Sequence, residues 1–205
     1  EKTGTKWYGV NGTDILSIDE SSPNNIASYQ KQKYDFFRQG DDFEKILKTI
    51  SKDSIIKKAT KQFPGLRLLR QDPFQCYISF IVSSNSSIQN IRLTLQKMTK
   101  KFGQKVTFDK KEFHLFPEPK KLANAERSEL ASCGLGYRVP FVKNASILVK
   151  DGIIDFDALK KSNYHTAKES LLQIFGIGNK VADCILLFSL EKLESFPLDR
   201  WIIRS

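Results

Sequence analysis

Lys180 is a lone lysine directly behind the turn Gly176-Ile177-Gly178-Asn179, at the start of the apolar stretch Val181-Ala182-Asp183-Cys184-Ile185-Leu186-Leu187. A carboxylate, Asp199, follows nineteen residues later in Phe196-Pro197-Leu198-Asp199. An uncharged primary amine can attack a sugar carbon and form a covalent intermediate. A carboxylate beside that carbon stabilises the oxocarbenium-like charge that develops there. The amine must be held among apolar side chains to lose its proton, and Val181, Ile185 and Leu186 are near enough in sequence to supply them. Lys180 is equally readable as a phosphate contact, and Asp199, after a proline, as a helix N-cap. Asp183 reads as a structural partner on the same helix. Cys184, four residues after Lys180, shares its helix face and reads either as a buried small residue or as a pocket wall.

The elements around this pair read as a helix, a tight turn with two glycines and a second helix. Gly176 and Gly178 allow backbone angles closed to other residues while Ile177 plugs back into the apolar helices. With no side chains in the way, the unpaired N–H groups of the second helix can approach a phosphate oxygen. This is a helix-hairpin-helix, which grips a nucleic-acid backbone without reading its sequence. Gly176, Gly178 and Asn179 are therefore candidate DNA contacts. Asn85, among serines at the end of an apolar helix, is a cap or a DNA contact. Tyr137-Arg138 pairs a flat wedge with a forked donor suited to an exposed base edge.

The totals point the same way. Lys plus Arg outnumber Asp plus Glu by 33 to 23 in 205 residues, a net charge of +10, which favours a polyanionic partner. Cys76, Cys133 and Cys184 are scattered and odd in number, which argues against a disulfide framework and for an intracellular setting, cytoplasm, nucleoid or nucleus rather than secretion. No apolar run approaches membrane-spanning length, so no membrane partner is expected. His114 and His165 stand alone, and no metal-ligand spacing occurs; the expectation is no metal and no cofactor. The chain starts abruptly in an apparent strand and stops in an apparent helix, so terminal segments are expected to be missing.

Lys6 to Ile18 carries a hairpin pattern around Asn11-Gly12, with a type I′ turn expected there. Residues 1–22 are read as the remnant of a small antiparallel sheet, and 23–205 as a helical core. Helices are expected over Tyr29–Phe37, over Phe43–Ile50 capped by Asp41, and over Ser54–Gln62. Asp72-Pro73 opens a helix apolar nearly all round, which should sit at the centre of a domain. An amphipathic helix follows from Ile88 to Phe102, then an irregular stretch over 104–116. Short helices are expected after Pro119 and over 126–132, and a longer one from Pro140 to Lys150. Asp155 and Thr166 are read as caps of the two helices before the hairpin. The fold class is mainly α with a small antiparallel β piece at the N-terminus (α+β).

Four motifs in one order carry a resemblance: Leu66-Arg67-Leu68-Leu69-Arg70-Gln71-Asp72-Pro73, Phe80-Ile81-Val82-Ser83-Ser84-Asn85, Gly134-Leu135-Gly136-Tyr137-Arg138, and Gly176 to Cys184. Together they resemble the 8-oxoguanine DNA glycosylase/AP lyases of the helix-hairpin-helix-GPD superfamily, over nearly the whole chain from Trp7 to Asp199. The resemblance implies a helix-hairpin-helix glycosylase bundle that acts as a monomer on damaged double-stranded DNA. It implies a bifunctional N-glycosylase and lyase in base-excision repair, with Lys180 as Schiff-base nucleophile and Asp199 as its carboxylate partner. Cys184 would face the flipped base, Asn85 would fill the gap, Tyr137 would wedge, and Arg138 would contact the estranged cytosine. Asn90 stands where animal and yeast enzymes carry a second cytosine-reading arginine, and Trp201 replaces a histidine usual two residues after the aspartate. The alternatives are a glycosylase for another oxidised base, such as thymine glycol, and a non-catalytic hairpin module that only binds DNA.

Overall fold

A computed structural model describes residues 2–3, 6–29 and 35–204. The chain opens with a four-stranded antiparallel sheet in sequence order: β1 (Lys2–Thr3), β2 (Lys6–Asn11), β3 (Asp14–Asp19) and β4 (Ser22–Ser28). Asn11 pairs with Asp14, so the loop of the β2–β3 hairpin is Gly12-Thr13. Gly12 has φ +63° while Thr13 stays out of the left-handed region. A glycine at the first central position belongs to type II′ turns, one residue on from the type I′ turn expected at Asn11-Gly12. Asn11 serves instead as an anchor, its Oδ1 accepting from the Asp72 amide at 2.7 Å.

β4 lies where a helical pattern was expected after Pro23. Ile26 pairs with Ile18, and the Tyr29 amide donates to the Ile15 carbonyl at 2.9 Å, so the segment finds a ready sheet edge. Most of the helix expected over Tyr29–Phe37 falls on residues 30–34, outside the described residues; Tyr29 and residues 35–37 are not helical.

The helical body comprises α1 (Phe43–Ile50), α2 (Ser54–Gln62), α3 (Pro73–Ser83), α4 (Ile88–Phe102), α5 (Pro119–Asn124), α6 (Arg127–Ser132), α7 (Val139–Lys150), α8 (Phe156–Lys161), α9 (Tyr164–Leu172), α10 (Asn179–Ser189) and α11 (Arg200–Arg204). A second hairpin, β5 (Lys105–Phe108) and β6 (Lys111–His114), interrupts it after α4, where an irregular stretch was expected. The fold is mainly α with small antiparallel sheets. No helix among the described residues is long and apolar enough to cross a membrane.

Local chemistry explains where these helices start. The side chain of Asp42, not of Asp41, accepts from the Lys45 amide to cap α1. Asp72 caps α3 with Pro73 at the first position, Ser87 caps α4, and Asp155 caps α8. Asn163 caps α9, and Thr166 donates its amide to that cap rather than providing it. Each satisfies amides that have no partner within the helix.

α3 is the central element. Phe74, Tyr77, Ile78, Ile81 and Val82 join one core with Val142 of α7 and Ile185 of α10. The Gln71 amide donates to the Phe188 carbonyl at 2.8 Å, tying the approach to α3 onto the end of α10. Beyond α10, Glu191 accepts from Arg70 at 2.8 Å and lies 3.1 Å from Arg38. Arg70 also reaches Asp35 at 3.3 Å and Asp41 at 3.5 Å. These pairs fix the start of the loop that carries Asp199.

Candidate active site and nucleic-acid surface

The hairpin between α9 and α10 is held from both sides. Asp183, buried on α10, accepts from the Tyr164 hydroxyl at 2.7 Å and from the Lys168 ammonium at 2.9 Å, both on α9. The Tyr164 hydroxyl and the Asp183 carboxylate hold the Lys168 ammonium above the ordinary lysine range. Asp183 is thus committed to α9, although it lies three residues from Lys180. Within the turn, Ile177 is buried and its amide donates to the Ile174 carbonyl at 3.0 Å.

The two glycines of the turn serve different needs. Gly176 has φ +95°, and a Cβ there would lie 2.7 Å from Cγ of Phe141. Gly178 has φ −101°, open to any residue, and a Cβ there would meet nothing within 4 Å. No side chain caps the N-terminus of α10. Gly178 therefore borders open space in front of uncapped amides, the arrangement that receives an anion.

Lys180 sits on the first turn of α10, half-buried, with Nζ 5.3 Å from the centroid of the Phe80 ring. Phe80 in turn stacks on Phe188 at 5.8 Å and 14°. One helical turn on, Cys184 is only 4% exposed. Burial pushes its thiol above the ordinary range; the nearby Lys180 ammonium pulls against that, and the Asp183 and Asp199 carboxylates add to it. Lys180, Cys184 and Asp199 therefore share one electrostatic neighbourhood. Asp199 is half-buried and caps α11, its Oδ1 accepting from the Ile202 amide at 3.0 Å. Both sequence readings of Asp199 thus stay compatible in one position.

The loop carrying Asp199 is anchored by Lys192, 8% exposed, whose ammonium donates to the Lys160 carbonyl at 2.8 Å and to that of Ser162. Phe80 and Lys192 have no signature in sequence. Phe80 reads as one more apolar residue of α3, and a lysine this enclosed runs against the habit of its type.

On the flank, Asn85 is exposed with φ +48°, and among the described residues its amide group has no hydrogen-bond partner. Ser84 and Ser87 occupy the neighbouring cap positions, so Asn85 is not a cap. Tyr137, 55% exposed, lies on the 3-10 turn Gly136–Arg138 and packs edge to face on Phe141 at 5.9 Å. Phe141 packs likewise on Phe175 at 4.8 Å, linking the wedge candidate to the hairpin. The Arg138 guanidinium lies 4.5 Å from the Tyr137 ring centroid and donates to the carbonyls of Ser84 and Asn85. A cleft of about 680 Å³ between these motifs is lined by Asn85, Ser87, Asn90, Lys97 and Arg138.

Comparison with known proteins adds to this geometry. Residues 2–77 match the family model described as 8-oxoguanine DNA glycosylase, N-terminal domain. The probable N-glycosylase/DNA lyase of Methanothermobacter thermautotrophicus is 38% identical over 160 residues, covering 68% of this chain and 51% of that protein. By these matches the chain is similar to the 8-oxoguanine DNA glycosylase family. Within it, the N-glycosylase/DNA lyase OGG1 of Arabidopsis thaliana is 28% identical, covering 97% of this chain and 59% of that protein. The crystal structure of the Clostridium acetobutylicum 8-oxoguanine glycosylase/lyase, in complex with double-stranded DNA containing cytosine opposite 8-oxoguanine, superposes with a TM-score of 0.87. That match is 28% identical and covers 97% of this chain and 71% of the other. The chain thus spans between 51% and 59% of the length of these two curated relatives.

Proposed function

We propose that this protein removes 8-oxoguanine from double-stranded DNA and then nicks the strand at the resulting site. The observation that carries this reading is the position of Lys180: behind the hairpin, half-buried over Phe80, and one helical turn before the buried Cys184, whose thiol its charge pulls down. An amine of use to catalysis must be shielded from bulk water, and the partial burial of Lys180 against the Phe80 ring supports that role.

Uncapped amides beyond Gly178, with Gly176 and Asn179 in the same turn, grip the backbone; Tyr137 wedges the duplex and Asn85 fills the gap behind the extruded base. Uncharged Nζ of Lys180 attacks C1′ of the lesion nucleotide. The bond from C1′ to N9 breaks, its electron pair leaves with the base, and a proton reaches that base. Asp199 stabilises the positive charge developing on the sugar. Opening of the sugar ring turns the new C–N bond into an iminium ion. Loss of a C2′ proton then expels the 3′ phosphate, which breaks the strand by β-elimination. The cysteine wall, Cys184, borders the space the base would enter.

Borohydride reduction tests the covalent step. The wild type should form a trapped adduct with DNA carrying 8-oxoguanine, and Lys180→Gln should lose the adduct while still binding the duplex. A wild type that binds without ever forming an adduct would leave only a DNA-holding module. Parallel duplexes with thymine glycol distinguish a glycosylase for that base.

A further inference from the structure

The hairpin carries a ring that neither the core nor the phosphate grip uses. Ile174 and Ile177 turn inward and join the core. Phe175, between them in sequence, is turned the other way and is 67% exposed. Its ring is nevertheless held, edge to face on Phe141 at 4.8 Å and 87°. The backbone of the next residue presses on that same Phe141 ring, since a Cβ on Gly176 would come within 2.7 Å of it. Phe141 in turn packs on Tyr137 at 5.9 Å and 79°. Single apolar side chains scattered on a surface need no explanation. Phe175 is not one of these: it ends a three-ring ridge that runs from the phosphate-gripping turn to the exposed wedge candidate. Folding leaves most of this ring in water, so a partner that covers it gains the apolar burial the fold does not collect.

We propose that Phe175 is a DNA contact in its own right, its ring lying against the deoxyribose of the strand whose phosphate the hairpin holds. This deepens the excision reading above, from which it takes the placement of the duplex on the hairpin and Tyr137. Along a nucleotide the order is phosphate, sugar, base. With a phosphate at the uncapped amides of α10 and a base step at Tyr137, an apolar surface between the two faces the sugar. The C–H edge of a deoxyribose is uncharged, so a phenyl ring covers it without stripping water from an ionic group. Such a contact adds affinity by apolar burial and releases no counterions, which separates it from every phosphate contact of the same surface.

Fluorescence anisotropy with a duplex carrying a stable abasic analogue, repeated from about 50 to 200 mM salt, reads both properties. Phe175→Ala should bind about 5- to 30-fold more weakly at every salt concentration. The slope of log affinity against log salt should stay within about half a unit of the wild type. Phe175→Leu, which keeps apolar bulk on the same backbone, should recover affinity to within about threefold of the wild type. Phe175→Gln, comparable in reach but polar, should bind as weakly as Phe175→Ala. Unaltered affinity in Phe175→Ala overturns the proposal, and so does a slope flattened by about one unit, the signature of a lost phosphate contact. Equal losses in the leucine and glutamine variants overturn it too, because they report a disturbed turn rather than a missing apolar surface. If Phe175→Ala fails to fold, the leucine and glutamine variants decide by the same measurements. Amide hydrogen exchange over residues 173–178 without DNA should match the wild type in both; exchange that quickens in step with lost affinity assigns Phe175 to the turn and refutes the contact. A wild type that binds in the expected pattern yet releases no 8-oxoguanine sinks the excision reading and leaves the contact standing, whereas a wild type that binds no DNA overturns both.

Discussion

Substituting the two hairpin glycines separately should give opposite phenotypes. In Gly176→Ala the new Cβ would lie 2.7 Å and 2.8 Å from two ring atoms of Phe141, and the residue would have to hold φ +95°. A left-handed backbone costs a residue with a Cβ about 1–2 kcal/mol. Displacing a packed ring costs about 1–3 kcal/mol more. A loss of roughly 2–5 kcal/mol should lower the melting temperature by about 4–20 °C for a chain of this size. Phe141 also contacts Phe175 and Tyr137, so its displacement should weaken DNA binding as a secondary effect. Gly178→Ala meets no neighbour and keeps an ordinary φ. Its stability cost should be about 0.5–1 kcal/mol, the difference between glycine and alanine next to a helix start. Its DNA affinity should nonetheless fall, because the methyl group stands where the phosphate approaches. Thermal unfolding by circular dichroism and fluorescence anisotropy with a duplex carrying a stable abasic analogue give both numbers. If Gly176→Ala melts with the wild type, the steric reasoning is wrong. If Gly178→Ala binds DNA unimpaired, the open space before α10 does not receive a phosphate.

Lys168→Met should leave Asp183 buried with Tyr164 alone and destabilise the protein by about 1–2 kcal/mol in urea titrations, a figure reduced for the partial exposure of the lysine. Because the Lys168 ammonium is held above its ordinary range, its contribution is fully present below the unfolded lysine pKa and disappears as pH rises through the folded value, so wild type and variant should converge in strong alkali. Asp109 behaves in the opposite sense: hydrogen bonds from Lys6 and Tyr8 hold its carboxyl below the usual range. Its contribution is present above the unfolded carboxylate pKa and is lost as pH falls through the folded one, which Asp109→Asn should abolish in acid melting curves. Alkylation of Cys184 by iodoacetamide should be slow near neutrality, and Lys180→Gln should slow it further by removing the cation that lowers the thiol's pKa. An unchanged rate would separate the two side chains.

Much of the hairpin could be read from residue types, since glycines, a buried isoleucine and a lysine at a helix start each carry a local reason. The same holds for α3, whose Asp-Pro opening and all-round apolarity announce a central helix. What escaped depended on distant partners. The β5–β6 turn places Asp109 and Lys110 at φ +50° and +61°, with no glycine to signal it. Asp109 is held there by Lys6 at 2.8 Å and Tyr8 at 2.6 Å, a hundred residues earlier in the chain. β4 escaped likewise, because its strand character comes from the open edge of β3. At the site, Phe80 lies on α3 and Lys180 on α10, and only packing of those helices brings ring and amine together. The linkage of Arg138 to the Asn85 turn joins two motifs some fifty residues apart, and no spacing rule foretells it.

The tip of the β2–β3 hairpin is bonded to the first turn of α3 by a reciprocal set of contacts. The Gly12 amide donates to the Gln75 side chain at 2.7 Å, the Gln75 amide group donates to the Val10 carbonyl at 3.2 Å, and Asn11 accepts from the Asp72 amide. A Cβ on Gly12 would fall 2.5 Å from the Asp72 carboxyl, so strand and helix touch with no slack. The other end of the same helix, about 16 Å away at 1.5 Å per residue, leads straight into Asn85. Any load applied at that far end is therefore handed along a stiff rod into the sheet, which acts as an abutment rather than a loose appendage. Trimming the sheet away would cost the rod its footing.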